Sequence, residues 1–355
     1  MLQFCLTRTM DEKRQEPHPV SRAPDEFNIV YFGGSITQGA GVSDYQKSWA
    51  AIVSHALEQR NKAVRCYNAG VGGTGSDYGL LRLYDDVISK KPDMVFVEFA
   101  VNDQDRPKEQ VQKCLEGIVR NLLRFRPTIS IVFLYTTTQE FRACTKIYQE
   151  IAAYYGIPSI DLQTELRRMV QSGKLKTEEF LADGIHPNEK GHQLYADLIL
   201  HQLADVWNHA PVYRETPLRE DWYPFVGKKI NPDQAELSGN WEKEMVCDER
   251  VYTADQPGSR IIFQFTGNVV GLVHRIGREY GKCIIELDGV RQETDMGAYL
   301  DCSYDTACQS VMWYHDFALS DGLHRLAIIL EAETEKGNEK ENRKKLSVDF
   351  IYVKK

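Results

Sequence analysis

The sequence contains no apolar run long enough to span a membrane, and its opening residues have only a short apolar start. A secretory signal needs a longer apolar segment, so we expect a cytoplasmic protein without membrane contact. The chain also lacks an excess of basic residues, because 43 lysines and arginines face 51 aspartates and glutamates. An acidic balance of this size argues against a dedicated nucleic-acid-binding protein.

Cysteine pairs of the CxxC type are absent, although the chain contains eight cysteines spread over both halves. This spacing favours reduced structural thiols over a disulfide framework or a zinc site. The cysteines are Cys5, Cys66, Cys114, Cys144, Cys247, Cys283, Cys302 and Cys308.

A chain of 355 residues suggests about two domains. Residues 1–25 are polar and contain several prolines, which is typical of an extended arm. From residue 26 to residue 209, five short apolar runs alternate with helical patterns, which predicts an α/β domain with a mostly parallel sheet covered on both faces. The runs read NIVYFGG, AVRCYN, DMVFVEFA, ISIVFLY and IPSID.

The pattern changes after residue 209. Residues 210–236 are rich in proline and charge without a clean period, so we predict a linker there. Residues 237–355 contain six strand-like runs with turn signals and no long helix, which favours an all-β sandwich or jelly roll. These runs read RIIFQFTGN, VVGLVHRIG, KCIIELDGV, SVMWYHDFAL, HRLAIILEA and LSVDFIYV.

A serine follows the first predicted strand in the segment FGGSITQG. Ser35 would therefore lie at the carboxyl end of a strand, where open parallel sheets bind ligands. Gly33 and Gly34 would allow a sharp turn and a close approach of substrate. A serine beside glycines is also common in plain turns and helix caps, so this segment alone does not identify a nucleophile.

A histidine and an aspartate stand three residues apart in DGIHP, at the start of the last helix of this domain. A serine hydroxyl needs a base to become a nucleophile, and the base works best when an acid fixes its tautomer. Ser35, His186 and Asp183 would supply these three roles, and Pro187 would restrict the backbone of His186.

Two further loops follow the second and third predicted strands, in NAGVGGTG and EFAVND. Acyl transfer passes through an oxyanion that needs hydrogen-bond donors aimed at it in advance. The backbone N–H groups of Ser35 and Gly73 and the side-chain amide of Asn102 are the predicted donors. Such a mechanism uses no metal and no organic cofactor.

FGGSIT, NAGVGGTG, AVND and DGIHP match, in order, the four signature blocks of the SGNH hydrolases, also called the GDSL esterase/lipase superfamily. The resemblance covers residues 26–209 and implies a flavodoxin-like three-layer fold. It places the nucleophile on Ser35, the oxyanion donors on Gly73 and Asn102, and the acid and base on Asp183 and His186. The first block reads GGSI in place of GDSL, a departure common among carbohydrate esterases of the superfamily. Ala100 replaces the usual glycine of the third block.

A competing motif is GVGGTG at residues 70–75, which satisfies the GxGxxG pattern of dinucleotide-binding enzymes. That fingerprint belongs after the first strand and needs an acidic residue at the end of the next one. Here the glycines follow the second strand, so exposure of the Gly73 amide is the favoured interpretation.

The second domain resembles a galactose-binding-like carbohydrate-binding module. An SGNH domain followed by such a module is similar to two-domain acetyl esterases of carbohydrate esterase family seventeen, which act on mannan-derived oligosaccharides. Trp222, Tyr223, Trp313 and Tyr314 are candidate sugar contacts, although a packing role is also open for each of them. The segment 297–309 lacks alternation and is a candidate lid.

The sequence thus favours a serine esterase that removes O-acetyl groups from oligosaccharides. Acetylated manno-oligosaccharides are the first choice of substrate, and acetylated xylan is a related candidate substrate. Two alternatives remain open. The same triad would serve a lipid esterase or thioesterase, and a glycan-binding protein with an inactive hydrolase domain would keep the same fold.

Overall fold

The computed structural model describes residues 26–207, 209–246, 249–276, 280–295, 309–316, 319–331 and 345–354. The predicted arm at residues 1–25 lies outside them. The chain divides into two compact units, and the division falls between Val226 and Gly227. Within the described ranges, every helix is too short or too polar to cross a membrane.

The first unit contains a five-stranded sheet in the order β2-β1-β3-β4-β5, and every neighbouring pair of strands is parallel. This confirms the predicted α/β domain. The strands are β1 (Phe27–Gly33), β2 (Val64–Gly70), β3 (Met94–Glu98), β4 (Ser130–Tyr135) and β5 (Ser159–Asp161).

Helices connect these strands and cover the sheet. They are α1 (Ser35–Gln38), α2 (Trp49–Arg60), α3 (Ser76–Asp86), α4 (Lys108–Phe125), α5 (Thr145–Tyr155), α6 (Leu162–Gln171), α7 (Thr177–Phe180) and α8 (Glu189–Val206). Short 3₁₀ turns lie at Tyr45–Lys47 and Ile88–Lys90.

Strand β1 is buried on both faces, which explains its continuous apolar run. Tyr31 packs on one face in a cluster with Trp49 of α2. Phe32 packs on the other face, against Phe99 and close to Gly79 of α3. The alternation of side chains along the strand thus anchors helices on both sides of the sheet.

The segment after α8 lies against α4 and α5. The side chain of Arg120 donates hydrogen bonds to the backbone carbonyls of Arg214 and Glu215. The buried carboxylate of Glu116 accepts hydrogen bonds from the backbone N–H groups of Leu218 and Arg219. Side chains of α4 therefore fix the first half of the predicted linker to the first unit through hydrogen bonds with the linker backbone.

The described residues of the second unit form three antiparallel sheets, with strand orders β13-β12-β15-β10-β7, β14-β11-β17-β6 and β16-β9-β8. This confirms an all-β second domain, and the finer description as a jelly roll stays a prediction. The strands are β6 (Gly227–Ile230), β7 (Glu236–Ser238), β8 (Glu242–Val246), β9 (Glu249–Ala254), β10 (Arg260–Gly267), β11 (Val270–Ile276), β12 (Lys282–Leu287), β13 (Val290–Asp295), β14 (Gln309–Asp316), β15 (Gly322–Leu330), β16 (Leu346–Val348) and β17 (Phe350–Lys354).

Apolar side chains from different sheets form one core in this unit. Ile261 and Phe263 of β10 belong to the same buried cluster as Leu272 of β11, Ile328 of β15 and Ile351 of β17. Two sheets therefore bury their inner faces against each other, as in a sandwich.

Candidate active site

The carboxyl ends of β2, β1 and β3 lie side by side because these strands are neighbours in the sheet. Gly33 pairs in register with Gly70 on one side and with Glu98 on the other. The loops that follow these strands therefore meet at one edge of the sheet, where ligands bind in open parallel sheets.

Ser35 and His186 meet at this edge although 151 residues separate them in sequence. The Ser35 Oγ lies 2.9 Å from Nε2 of His186, and Nδ1 of the same ring lies 2.8 Å from Oδ2 of Asp183. These distances are hydrogen-bond lengths. The structure therefore brings together the three residues that the sequence proposed as nucleophile, base and acid.

Asp183 is fixed by its own turn. Its Oδ1 accepts hydrogen bonds of 2.7 Å from the backbone N–H groups of Ile185 and His186, while Oδ2 faces the imidazole. Partial burial would raise the pKa of Asp183, but hydrogen bonds from the side chain and backbone of His186 lower the pKa to about 2. The carboxylate thus stays ionised throughout the neutral pH range.

The two glycines before Ser35 are required by close neighbours. A Cβ at Gly33 would lie 2.6 Å from the Glu98 carbonyl oxygen, and one at Gly34 would overlap the side-chain amide of Asn102. The φ of Gly34 is −89°, which any residue can adopt. The contact with Asn102 is the constraint on side-chain size that the structure shows at this position.

The predicted oxyanion donors flank the serine. Gly73 has a φ of +73°, and its exposed Cα has open space around it. The side chain of Asn102 is half-buried against Gly34. Gly73 thus adopts the left-handed conformation that glycine adopts without steric cost.

The remaining glycines of the GVGGTG segment have packing partners within the protein. A Cβ at Gly70 would meet the backbone of Gln38 in α1, and one at Gly75 would meet the side chains of Asp103 and Arg106. These contacts explain the glycine run without a dinucleotide.

Two further side chains, the buried Arg82 and the half-buried Asn68, support the nucleophile turn from the side of β2. The guanidinium of Arg82 donates hydrogen bonds to the carbonyls of Gly33 (2.9 Å) and Ala69 (2.7 Å). The Asn68 amide donates to the carbonyl of Thr37 at 2.8 Å. An arginine between apolar residues, in GLLRLY, is the sequence signal that indicates burial of Arg82, although it does not identify the groups that Arg82 contacts.

Two buried carboxylates lie close to the same loops. Asp103 accepts hydrogen bonds from the backbone N–H of Ser76 and from the hydroxyl of Tyr148, and burial raises its pKa to about 6. Glu98, at the end of β3, accepts from the hydroxyls of Thr37 and Thr136. Acidic residues within or directly after an apolar strand were the available signal.

A second histidine holds the loop beside the triad. His192 accepts a hydrogen bond from the backbone N–H of Trp49 at Nδ1, and its Nε2 lies 3.0 Å from the carbonyl of Ala40. Burial lowers the pKa of His192 to about 4, so the ring is neutral at neutral pH and donates from Nε2. Its role is to position this loop.

Trp222 and Tyr223, two of the predicted sugar contacts, lie against α4. Trp222 is buried against α4, with its ring 4.9 Å from the Arg120 guanidinium and 4.7 Å from that of Arg124. Tyr223 lies over Lys113 and beside Phe225. This placement gives Trp222 a packing role in place of the predicted sugar contact, because its ring is covered by protein.

The other two candidates are in β14, whose backbone pairs with β11. The side chains of Trp313 and Tyr314 lie outside the described residues, and so do residues 297–308 of the candidate lid. Across the described ranges, no cluster of three or more histidines, cysteines, aspartates or glutamates could hold a metal ion.

Comparison with known proteins places this geometry in a family. The profile of the GDSL-like Lipase/Acylhydrolase family matches residues 31–194. Thioesterase 1/protease 1/lysophospholipase L1 of Escherichia coli strain K12 is 24% identical over 194 residues, which cover 53% of this chain and 88% of that protein. The uncharacterized lipoprotein YqeF of Bacillus subtilis strain 168 is 33% identical over 101 residues, which cover 26% of this chain and 40% of that protein.

Among solved structures, a two-domain esterase active on acetylated mannans, co-crystallized with mannopentaose, matches with a TM-score of 0.78. The match covers 93% of this chain and 90% of that one, at 22% identity, and shows the same fold. The predicted resemblance to the SGNH hydrolases is therefore confirmed. Residues 31–194 thus form a hydrolase domain of the GDSL-like Lipase/Acylhydrolase family, which makes the chain a carboxylic ester hydrolase.

Proposed function

We propose that this enzyme is a serine esterase that removes O-acetyl groups from oligosaccharides, with acetylated manno-oligosaccharides as the first substrate to test. The observation that carries the proposal is the chain of hydrogen-bond distances from Ser35 Oγ through His186 to Asp183. It is the arrangement that turns a serine hydroxyl into a nucleophile for acyl transfer.

In the first half-reaction, Ser35 Oγ attacks the acetyl carbonyl carbon while Nε2 of His186 takes the hydroxyl proton. The negative charge on the former carbonyl oxygen is stabilised by the N–H groups of Ser35 and Gly73 and by the Asn102 amide. When the tetrahedral intermediate collapses, the bond to the sugar oxygen breaks and His186 returns its proton to that oxygen. The sugar leaves and the acetyl group stays on Ser35.

In the second half-reaction, water attacks the acetyl group on Ser35 and His186 takes a proton from the water. When the second tetrahedral intermediate collapses, the bond to the Ser35 oxygen breaks, His186 returns its proton to that oxygen, and acetic acid leaves and ionises to acetate. Asp183 holds the imidazole in the required tautomer in both halves. The net reaction consumes one ester bond and one water, and it yields one acetate, one proton and one free sugar hydroxyl.

Two findings support an acetylated oligosaccharide as substrate. The fold match to an esterase active on acetylated mannans extends through the second unit as well as the first. The first signature block reads GGSI, as in carbohydrate esterases of the superfamily. We assign the second unit a carbohydrate-binding role and place the enzyme in the cytoplasm as parts of the same proposal.

The test is acetate release from acetylated manno-oligosaccharides and xylo-oligosaccharides, followed by mass spectrometry of the sugars. The wild type is compared with Ser35→Ala, which removes one oxygen atom at a half-buried position and leaves the glycine contacts unchanged. We expect loss of acetyl groups with the wild type alone. Equal activity of the two proteins would refute the mechanism.

A lipid esterase or thioesterase is the second candidate, and its support is the similarity to thioesterase 1/protease 1/lysophospholipase L1. Both candidates use the same triad, and they differ in the acyl group and in the alcohol or thiol that leaves. A series of p-nitrophenyl esters of increasing chain length separates them. We expect the highest kcat/KM for acetyl, and a clear preference for long chains would favour the second candidate.

A further inference from the structure

Glu98 is a buried carboxylic acid directly beside the nucleophile turn. It ends β3, pairs in register with Gly33 of β1, and is 1% exposed. Its backbone carbonyl accepts a hydrogen bond of 3.2 Å from the N–H of Gly34, the residue before Ser35. The proposed mechanism assigns no role to its side chain.

The Glu98 carboxylate joins three elements. It accepts a hydrogen bond of 2.8 Å from the hydroxyl of Thr37 in α1, the short helix that begins with Ser35. It accepts another of 2.7 Å from Thr136, in the segment after β4. The carboxylate therefore ties the nucleophile turn to the ends of β3 and β4.

Stability does not explain a carboxylate at this place. Within the part of the chain that the structure describes, no lysine, arginine or histidine forms an ion pair with Glu98. A buried charge without a cation disfavours the folded state, and an apolar residue would cost less. A role in function is the alternative that the site suggests.

The protonation state of Glu98 decides how many hydrogen bonds it can accept. An ionised carboxylate accepts from both threonine hydroxyls, whereas a protonated one must donate a hydrogen to a neighbour, so that one of the hydroxyls has to turn. Burial raises the pKa of Glu98 to about 7, against the effect of hydrogen bonds from Thr136 and Thr37. The titratable groups that face it are Tyr195 of α8 and Tyr148 of α5, and burial raises the pKa of both phenols, so they stay neutral.

We propose that Glu98 is a positioning residue, whose ionised carboxylate holds the α1 turn so that Ser35 stays within hydrogen-bond reach of His186. The inference rests on the proposed function, because it assumes that Ser35 is the nucleophile. It assigns Glu98 no contact with substrate.

Glu98→Gln tests the charge, because glutamine has nearly the same shape and imitates the protonated acid. Thr37→Val tests the hydrogen bond on the side of Ser35. Thr253→Val is the matched control: Thr253 is also buried and donates to a glutamate, Glu244, at 2.9 Å, but it lies in the second unit.

The measurement is the rate of covalent labelling of Ser35 by a fluorophosphonate, together with kcat and KM for p-nitrophenyl acetate. Neither probe contains a sugar. At about pH 8 we expect Glu98→Gln and Thr37→Val to lower the labelling rate and kcat about tenfold, the usual cost of a lost hydrogen bond to a charged group. We expect KM within about twofold of the wild type, because Glu98 does not bind substrate. Thr253→Val should match the wild type.

The pH dependence separates positioning from a merely structural role. At about pH 6, most Glu98 in the wild type is protonated and resembles glutamine. We therefore expect the ratio of the wild-type rate to the Glu98→Gln rate to shrink from about tenfold to about twofold. A ratio that stays constant with pH, or equal rates at about pH 8, would overturn the inference.

The two proposals fail in different ways. If the wild type reacted with neither probe, the nucleophile assignment would fall, and the inference on Glu98 with it. If the wild type reacted and Ser35→Ala did not, the assignment of Ser35 as the nucleophile would stand whatever Glu98→Gln shows. Only the comparison of Glu98→Gln with the wild type would then decide the role of Glu98.

Discussion

The side chain of Asn102 packs directly on Cα of Gly34, so closely that a methyl group on Gly34 would overlap its Oδ1. Gly34 precedes the nucleophile, and Asn102 is a proposed oxyanion donor. The contact makes the positions of these two groups interdependent, and an oxyanion donor is effective only when it is held in place in advance.

Gly34→Ala should therefore act through Asn102. We expect this variant to lower kcat about 10²-fold, the usual cost of one lost oxyanion donor. Asn102→Ala should lower kcat by a similar factor, and the double variant should be no worse than Asn102→Ala alone, because the methyl group then has room. Additive losses in steady-state kinetics on p-nitrophenyl acetate would show that Gly34 matters for another reason.

Asp183→Asn should remove the base function of His186 without unfolding the turn. The amide oxygen can still accept the backbone hydrogen bonds of Ile185 and His186, but its NH₂ group faces Nδ1 and forces the other imidazole tautomer. We expect kcat to fall by about 10²- to 10⁴-fold. An unchanged thermal unfolding midpoint is the control, and a loss below tenfold would contradict the assignment.

The pH profile of the wild type should contain no step from Asp183. Because hydrogen bonding with His186 keeps its pKa at about 2, the acid limb of kcat/KM must come from groups that titrate at higher pH. The profile is measured from about pH 4 to pH 9 with p-nitrophenyl acetate. A titration step that is present in the wild type and absent in Asp183→Asn would contradict the low pKa of Asp183.

Glu98→Gln should lower activity but, as the pH rises, increase stability relative to the wild type. The pKa of Glu98 is raised from 4.5 to about 7, so the folded wild type holds a proton that the unfolded chain has released in this window. Its stability therefore falls as pH rises from 4.5 to about 7. Glutamine does not titrate, and Asp103 contributes equally to both proteins. We expect the unfolding midpoint of the variant to rise relative to that of the wild type between about pH 5 and pH 8. A constant difference between the two midpoints would argue against a buried ionised Glu98.

Trp222→Ala should destabilise the first unit without weakening substrate binding. The variant removes a buried ring that contacts Arg120 and Arg124, which should cost about 3 kcal/mol of unfolding free energy. Trp222→Phe keeps an aromatic ring there and should recover part of this loss. We expect KM for acetylated oligosaccharides to be unchanged in both variants at a temperature where they are folded. A raised KM with unchanged stability would restore the predicted sugar contact.

The parallel sheet and the place of the site could be predicted because both depend on local patterns. Continuous apolar runs are required where a strand such as β1 is buried on both faces, and loops after neighbouring strands must share one edge. The position of Ser35 follows from these two rules, whereas His186 was identified by its spacing from Asp183 and by the family resemblance. Strand β6 was missed inside the predicted linker, because Gly227–Ile230 is short and contains two lysines.

The supporting residues could not be predicted from the sequence, because their roles depend on contacts across the fold. Arg82 reaches a carbonyl 49 residues away, and Glu98 reaches hydroxyls 61 and 38 residues away. Trp222 reads as an exposed linker residue until the packing of its segment on α4 is known. Sequence patterns indicate burial, whereas a hydrogen-bond partner is fixed only by the three-dimensional structure.

Trapping the acyl-enzyme tests most directly whether Ser35 is the nucleophile. The protein is mixed with p-nitrophenyl acetate, quenched in acid after a few milliseconds, and digested for peptide mass spectrometry. We expect one acetyl group on Ser35 in the wild type and none in Ser35→Ala. Turnover without an acetylated Ser35 in the wild type, or an acetyl group on another residue that carries the turnover, would contradict this assignment.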